Sequence, residues 1–463
     1  MKGLVAKVCL AALALPLLLP TPAPAQQPPP AQPAPPPERP ATLAQVLTTA
    51  LQNNLALRIA AFETQIARAQ LAAARAAKSG TGSANVSVTQ QNAGPGTTIV
   101  IPPGIVCVPS PPTCNTAPII VTLPPAPSTL YGGNLTLEYP LYTGGRLEAQ
   151  IALAAAAVRG AEATLERTKQ EIILQAKLAY YGVLVAQAGV EVAQRTVAQA
   201  EETLRIAQAR VRAGTSPRFD EIQAEVSVAN ARQGLVRARN GVAVATQGLA
   251  AVMGLPIDTP VRPQEAMGVL PVTAPAAELV ARGLKERPEL VEHQALVDAA
   301  KASIELARAG MRPVVGVVGS ISGGASSYGG SVTLTWSVML AATIPLFDGG
   351  VTAARVREAE LRLEQLQTVE AQLRQRIELE VRQAALNLSA AGEELATAGA
   401  TIESAREALR IAQVRFREGV GTNLEVIAAQ AALAQAEAAR VQALFAFNQA
   451  RAQLERAVGG AVP

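Results

Sequence analysis

The sequence predicts a mainly helical protein with a membrane β component, a long helical hairpin and its strands being written twice in one chain. Three observations carry this. Residues 202–212, ETLRIAQARVR, return as 407–417, EALRIAQVRFR, identical at eight of eleven positions with an offset of 205. At that offset Pro140 matches Pro345, Gly144-Gly145 match Gly349-Gly350 and Gly254 matches Gly459, so about 115 residues align without a gap. Two windows, 79–137 and 313–347, contain no Asp, Glu, Lys, Arg or His and occupy equivalent places in the two copies.

Taken in order, the chain opens with Lys2 and Lys7, an apolar run and Ala23-Pro24-Ala25, the pattern of a cleaved signal peptide over 1–25. Cys9 lies inside that run and does not read as a lipid-attachment site. Residues 26–41 are mostly Pro, Ala and Gln and read as an extended tether. The rest has one histidine, one tryptophan and 3% aromatics, which suits closely packed helices better than an enzyme core. Its net charge of +4 includes no basic block, which excludes a nucleic-acid footprint. His293 stands among charged neighbours and is expected on a solvated helix face. With no second histidine near it, no hydrolase or metal constellation can be assembled, and no cofactor or enzyme activity is expected.

Repeat one is expected over 42–258 and repeat two over 275–463, with a linker at 259–274. Each begins with a helix, at 42–78 and 275–310. The spacing then predicts two strands per repeat, at about 82–92 and 129–142, and at about 312–322 and 330–346. Leu334, Trp336, Val338 and Leu340 alternate with Thr333, Thr335, Ser337 and Met339, and Leu135, Leu137 and Tyr139 alternate similarly. Alternation alone would also suit a soluble hairpin. Six of the thirteen aromatics, however, fall within or just beside these strands, at Tyr131, Tyr139, Tyr142, Tyr328, Trp336 and Phe347. Short strands with an apolar face and interfacial aromatics point to an outer-membrane barrel, with Tyr139, Tyr142, Trp336 and Phe347 as its belt. Four strands cannot close a barrel, and an open edge in lipid leaves backbone groups unpaired. The protomer must therefore oligomerise.

Repeat one holds 28 more residues than repeat two between its opening helix and its second strand. This stretch carries Cys107 and Cys114. In an exported chain they point to a disulfide closing an exposed loop, with metal binding as the alternative.

Long helical hairpins follow at 144–254 and 349–459. Val183, Val190, Val197, Leu204 and Val211 recur every seven residues, as do Leu388, Leu395, Ile402, Leu409 and Phe416, with alanines between them. A long arm of about 68 residues would span roughly 100 Å.

These features resemble the TolC family of outer-membrane factors. The likeness rests on the P-L-(Y/F)-x-G-G junctions at Pro140, Gly144 and Gly145 and at Pro345, Gly349 and Gly350. It rests also on the hairpin tips at 210–222 and 415–427, notably RFREGVGTNLEVIAAQ. The resemblance implies a homotrimer with a 12-stranded barrel and a periplasmic helical tunnel. The implied function is a passive exit duct in the outer membrane, working with a periplasmic adaptor and an inner-membrane pump in efflux or type I secretion. It implies that Arg210, Gly214, Thr215, Arg415, Gly419, Val420, Gly421 and Thr422 form the tips that dock the adaptor. The glycines equally suit the turn backbone alone. Glu425 resembles one residue of an acidic ring at the entrance, although Ala428 stands where a second acid is expected. Asp220 is the repeat-one equivalent. Each acid also suits the first turn of its helix. Two rival functions are a trimeric autotransporter adhesin, whose strands would lie at the C-terminus, and a periplasmic adaptor, which would have a single hairpin.

Overall fold

A computed structural model describes residues 39–91, 97–109, 112–123, 128–265, 267–269, 272, 274–326 and 333–461. The signal peptide, nearly all of the tether and Tyr328 lie outside the described residues. The chain begins with β1 (Arg39–Ala41), α1 (Leu43–Asn53), α2 (Leu55–Ala76) and β2 (Thr81–Gln91). Short strands β3 (Thr97–Ile101), β4 (Cys107–Pro109), β5 (Pro112–Cys114) and β6 (Ile119–Leu123) precede β7 (Ser128–Tyr142). The first hairpin is α3 (Arg146–Arg212) and α4 (Arg218–Val252), followed by β8 (Val261–Pro263). Then come α5 (Ala276–Glu286), α6 (Pro288–Arg308), β9 (Val314–Ser326), β10 (Thr333–Thr343), α7 (Val351–Arg417) and α8 (Asn423–Val458).

Both opening helices are broken where continuous ones were expected. Asn54 ends α1 and caps α2, its Oδ1 accepting from Ala56 N at 2.9 Å while its Nδ2 donates to Val252 O at 2.9 Å. In the second copy Pro288 starts α6, and Arg287 before it sits in extended backbone, as a residue preceding proline prefers. The end of the tether is also not free: Arg39–Ala41 pair in parallel with Val261–Pro263, which lie in the expected linker.

The two copies build equivalent cores. Ile172, Ala176, Val183, Leu249 and Met253 pack on Val46 and Ala50 of α1. Ile377, Val381, Leu388, Leu454 and Val458, each 205 positions later, pack on Leu279 and Val280 of α5. Full burial of Ile377 and Leu454 stabilises by roughly 1.5–3 kcal/mol each. The sevenfold seam is better buried in α7, where Leu388, Ile402, Leu409 and Phe416 are all covered. In α3 only Val183 of the expected large seam residues is buried; the close positions are Ala200, Thr203 and Ala207.

His293 corrects an expectation. It is buried, and its Nε2 lies 2.8 Å from Leu366 O, so it ties α6 to α7.

Candidate functional site

The strands form one antiparallel sheet in the order β10-β9-β7-β2. Residues directly opposite share a face. Trp336 pairs with Ile321 and Ile321 with Leu135; Leu340 pairs with Val317 and Val317 with Tyr139. These, with Val338 and Leu137, make one continuous apolar face, and Trp336 is 72% exposed on it. The other face carries Ser337, Ser320, Thr136 and Ser83 in register, with Ser320 and Ser337 hydroxyls 2.8 Å apart. Both outer strands, β2 and β10, have an unpaired edge among the described residues.

At the helix-proximal end of the sheet are the two glycine junctions. Gly144 and Gly145 have φ of 65° and 88°, Gly349 and Gly350 of 67° and 88°. The positive φ is what requires glycine here. Thr143 Oγ1 accepts from Leu147 N at 3.3 Å to start α3. Asp348, at the same place in the second copy, accepts from Gly350 N at 3.0 Å and Thr352 N at 2.7 Å to start α7. Hydrogen bonds from Thr352, side chain and backbone, hold the Asp348 carboxyl below its usual value. Pro140 and Tyr142 lie in β7, whereas β10 stops at Thr343, so Pro345 and Phe347 lie beyond the sheet. Tyr139, Tyr142 and Phe347 are exposed.

The hairpin tips lie at the other end of the long helices. Gly214 and Gly419 adopt φ of 71° and 78°. Thr215 folds back, its N and Oγ1 donating to Arg210 O at 3.0 and 3.2 Å. In the second tip Val420 N and Gly421 N both donate to Arg415 O at 3.0 Å. A Cβ at Gly421 would stand 3.1 Å from the Arg415 carbonyl carbon, a close contact that any other residue would relieve only by shifting the turn. Thr422 caps α8 by accepting from Glu425 N at 3.3 Å. Glu425 also lies 3.8 Å from Arg415 Nη1. Asp220 accepts from Ser216 Oγ at the start of α4. Val420 and Thr215 face solvent.

Arg210 does not project outward as a free docking residue. Its Nη1 donates to Phe416 O at 2.9 Å and its guanidinium lies 4.6 Å from the Phe416 ring centroid, so it joins the first tip to the second. Asn423 does the same from the other side, donating to Asp220 O at 3.1 Å. Further up, Gln430 donates to Thr203 Oγ1 at 2.7 Å and Gln199 O at 3.2 Å. Sequence reasoning missed Asn423 and Gln430. Their signal is a polar side chain at a position where helical spacing calls for an apolar one, since α8 buries Val426, Leu433 and Ala436 on the same stripe.

A second missed group lies where α5 and α6 meet. Buried Arg287 donates to Glu380 at 2.5 Å and Glu289 at 3.1 Å, and Arg456 donates to Glu289 at 2.7 Å. Burial opposes ionisation of Glu289, but the hydrogen bond from Arg456 and the charge of Arg287 prevail and hold it below the usual carboxylate range. Cys107 and Cys114 are bonded to each other, closing the β4-β5 turn.

The family model of outer membrane efflux proteins matches residues 46–255 and 279–460. The chain is 27% identical over 296 residues to the alkaline protease secretion protein AprF of Pseudomonas aeruginosa, a match covering 62% of this chain and 60% of AprF. It is 26% identical over 333 residues to the cobalt-zinc-cadmium resistance protein CzcC of Cupriavidus metallidurans, covering 70% of this chain and 76% of CzcC. Among solved structures, the CmeC outer membrane channel of Campylobacter jejuni superposes with a TM-score of 0.74 at 17% identity, over 91% of this chain and 86% of CmeC.

Proposed function

The chain belongs to the outer membrane efflux protein family, and from that premise we propose that it is the outer-membrane exit duct of a tripartite efflux or type I secretion system. The observation that carries this reading is the four-stranded sheet, apolar on one face and open at both edges, continuous with helical hairpins whose 67-residue arms reach about 100 Å. The apolar face suits lipid and the serine- and threonine-rich face suits a water-filled interior. The unpaired edges of β2 and β10 are excluded from lipid only if each meets another copy. Three copies give a closed barrel of about 12 strands. An exposed stripe on α2, formed by Leu55, Ile59, Phe62 and Ile66, supports the same assembly. Residues at a spacing of three or four on an otherwise solvated helix need a partner helix.

In this reading 42–258 and 275–463 are two halves of each protomer's wall. Tyr139, Tyr142, Trp336 and Phe347 sit at the membrane boundaries. Val420, Thr215 and Thr422 offer the contact surface for a periplasmic adaptor, while Gly214, Gly419 and Gly421 shape the turns. Glu425 lines the entrance, with Arg415 beside it, and Asp220 acts mainly in capping α4. Energy comes from an inner-membrane pump joined through the adaptor.

Single-particle imaging of the mature protein extracted from outer membranes in detergent tests the proposal. A trimer with a helical tube of roughly 100 Å below a short barrel is expected. A monomer absent from the outer membrane fraction would overturn it.

A further inference from the structure

α3 and α7 are copies of one helix, but they are covered differently. α3 packs on α2 and α4 of its own repeat and on α6 and α8 of the other, whereas α7 packs on α5, α6 and α8 of its own repeat and has no comparable cover from the first. The equivalent of the α3–α8 seam is a seam between α7 and α4. Within one chain that second seam is missing.

The seam that exists has a fixed register. Gln170 Nε2 donates to Gly459 O at 2.9 Å, Arg195 lies 3.4 Å from Glu437, and Gln430 Nε2 donates to Thr203 Oγ1 at 2.7 Å. It also completes a groove, in which Gly189, Ala193 and Thr196 of α3 and Ala238 of α4 form two walls, and Ile427, Ala431, Val441 and Gln442 of α8 form the third. The same groove is cut again 205 positions later, at Glu394, Ala398, Thr401 and Ala443, where α7 and α8 alone line it among the described residues. Its third wall is absent.

The equivalents of that wall are Ile222, Val226, Val236 and Arg237 of α4. Ile222, Val226 and Val236 are 49%, 55% and 67% exposed, an apolar stripe on a helix otherwise turned to solvent. Charge agrees with the same placement. By the register of the bonds above, Gln442 falls level with Gly189, and the equivalents of these two are Arg237 and Glu394. Both are exposed, and neither makes an ion pair or a side-chain hydrogen bond among the described residues. Gln375 and Gly254 keep the residue types of Gln170 and Gly459, yet Gln375 is exposed and donates to nothing among the described residues.

We propose that α4 of the next copy supplies the missing wall, in the register α8 uses on α3, so that the neighbour's Arg237 pairs with Glu394 and Gln375 donates to the neighbour's Gly254 O. The proposal rests on the trimeric duct reading above and adds which helices meet and at which residues. Two different surfaces meet in this contact, so it runs head to tail and must close into a ring. A second copy is the occupant that matches, because the first repeat carries both the apolar stripe and the basic residue at the positions the second repeat's groove leaves open.

The test uses the full-length protein in outer membranes, carrying Glu394→Cys with Arg237→Cys and treated with a short bismaleimide; the native Cys107 and Cys114 are already bonded to each other. Covalent dimers and trimers on denaturing gels are expected from the double variant and from neither single one. Glu394→Cys with Asn230→Cys, displaced by about 10 Å along α4, is expected not to link. Equal linking of the two pairs would overturn the register. Links confined to one chain, or from Glu394→Cys to another protein, would overturn the contact itself. The mass of the same variants in detergent separates this proposal from the reading beneath it. Trimers without the 394–237 link would overturn the contact and leave the duct standing, whereas monomers without it would overturn both. Charge reversal supplies a second measurement: Glu394→Arg and Arg237→Glu are each expected to lower the temperature at which the trimer dissociates, and the two together to restore it. A double variant no better than the single ones would overturn the pairing.

Discussion

The junction at Gly144-Gly145 and its copy at Gly349-Gly350 have the same backbone and opposite surroundings. Over the first lies Arg312, whose Nη1 donates to Gly144 O at 3.1 Å while its Cβ would stand 2.7 Å from a Cβ at Gly144. Over the second lies nothing within 4 Å, and Leu346 and Phe347 beside it are each 88% exposed. The strand order explains the difference. β7, which leads into the first junction, is flanked by β9, and Arg312 immediately precedes β9. β10, which leads into the second, has no neighbour on its far side among the described residues; the strand equivalent to β9 is β2, at the opposite edge. A tandem duplication closed into a ring covers one junction within the chain and leaves its twin for the next copy.

The hairpin tips repeat the lesson. Arg210 and Arg415 are equivalent at the 205 offset. Arg210 crosses to Phe416 of the second hairpin, whereas Arg415 stays on its own turn beside Glu425 and Val420 O. One side chain type thus serves as an internal tie in one copy and as an exposed group in the other.

The largest effect is expected from breaking the cover that the second junction lacks. Phe62→Glu places a charge in the exposed α2 stripe, where a neighbouring copy must pack. Desolvating that charge without a partner costs several kcal/mol. Complete loss of the SDS-resistant, heat-modifiable trimer is expected, while the helical content of the protomer is kept. A trimer of unchanged stability would separate the open junction from any partner copy.

Next in size, alanine at the two glycines sharpens the comparison. Within its own protomer Gly349→Ala meets only the left-handed backbone, a cost of about 1–2 kcal/mol. Gly144→Ala adds the clash with Arg312 and is expected to cost roughly 1–2 kcal/mol more. Thermal unfolding of the two variants measures this, and equal losses would mean that Arg312 moves aside freely.

The duplication, the strands and the long hairpins were legible because they rest on period and identity, which survive without knowledge of contacts. The break at Arg287 was legible in principle, since Pro288 forbids continuation. The break at Asn54 was not: Leu51, Leu55 and Leu57 carry the helical pattern straight across it, and only the bond to Val252 O makes Asn54 a cap. Arg210 stands in the last turn of α3, and its direction depends on Phe416, 206 residues away. His293 failed for the same reason, its partner being a backbone carbonyl on another helix.

A smaller effect separates the two arginines. Removing Arg210 loses a hydrogen bond to a carbonyl and a ring contact, together about 1–2 kcal/mol. Arg410 to Glu407 pairs and their like are exposed and contribute less, and the Arg415–Glu425 contact at 3.8 Å belongs with them. Amide exchange across residues 418–423 is expected to quicken about 5- to 30-fold in Arg210→Ala, as 1–2 kcal/mol of local opening implies, and less than ~3-fold in Arg415→Ala. Equal changes would show that the tips are held by packing alone.

The smallest expected effect is an acid sensitivity with a different source at each junction. Asp348 and Thr143 occupy the same position and both start a long helix, but only Asp348 titrates. Its folded pKa is depressed by hydrogen bonds from Thr352 and Gly350, so its contribution is present above the ordinary carboxylate value of about 3.9. That contribution is lost as pH falls through the depressed folded value. Thr143 does not titrate, but Glu148 in the first turn of α3 is also held low by its hydrogen bond from Lys78, so any acid loss at the first junction runs through that pair. Amide protection in the first turn of α7 should therefore fall below about pH 4 through Asp348, while any fall in the first turn of α3 comes from Glu148. Asp348→Thr should flatten the profile of α7 and leave that of α3 unchanged, and Glu148→Gln should do the reverse. If either substitution flattens both profiles, the acid response belongs to the whole wall and the two junctions are not independent caps.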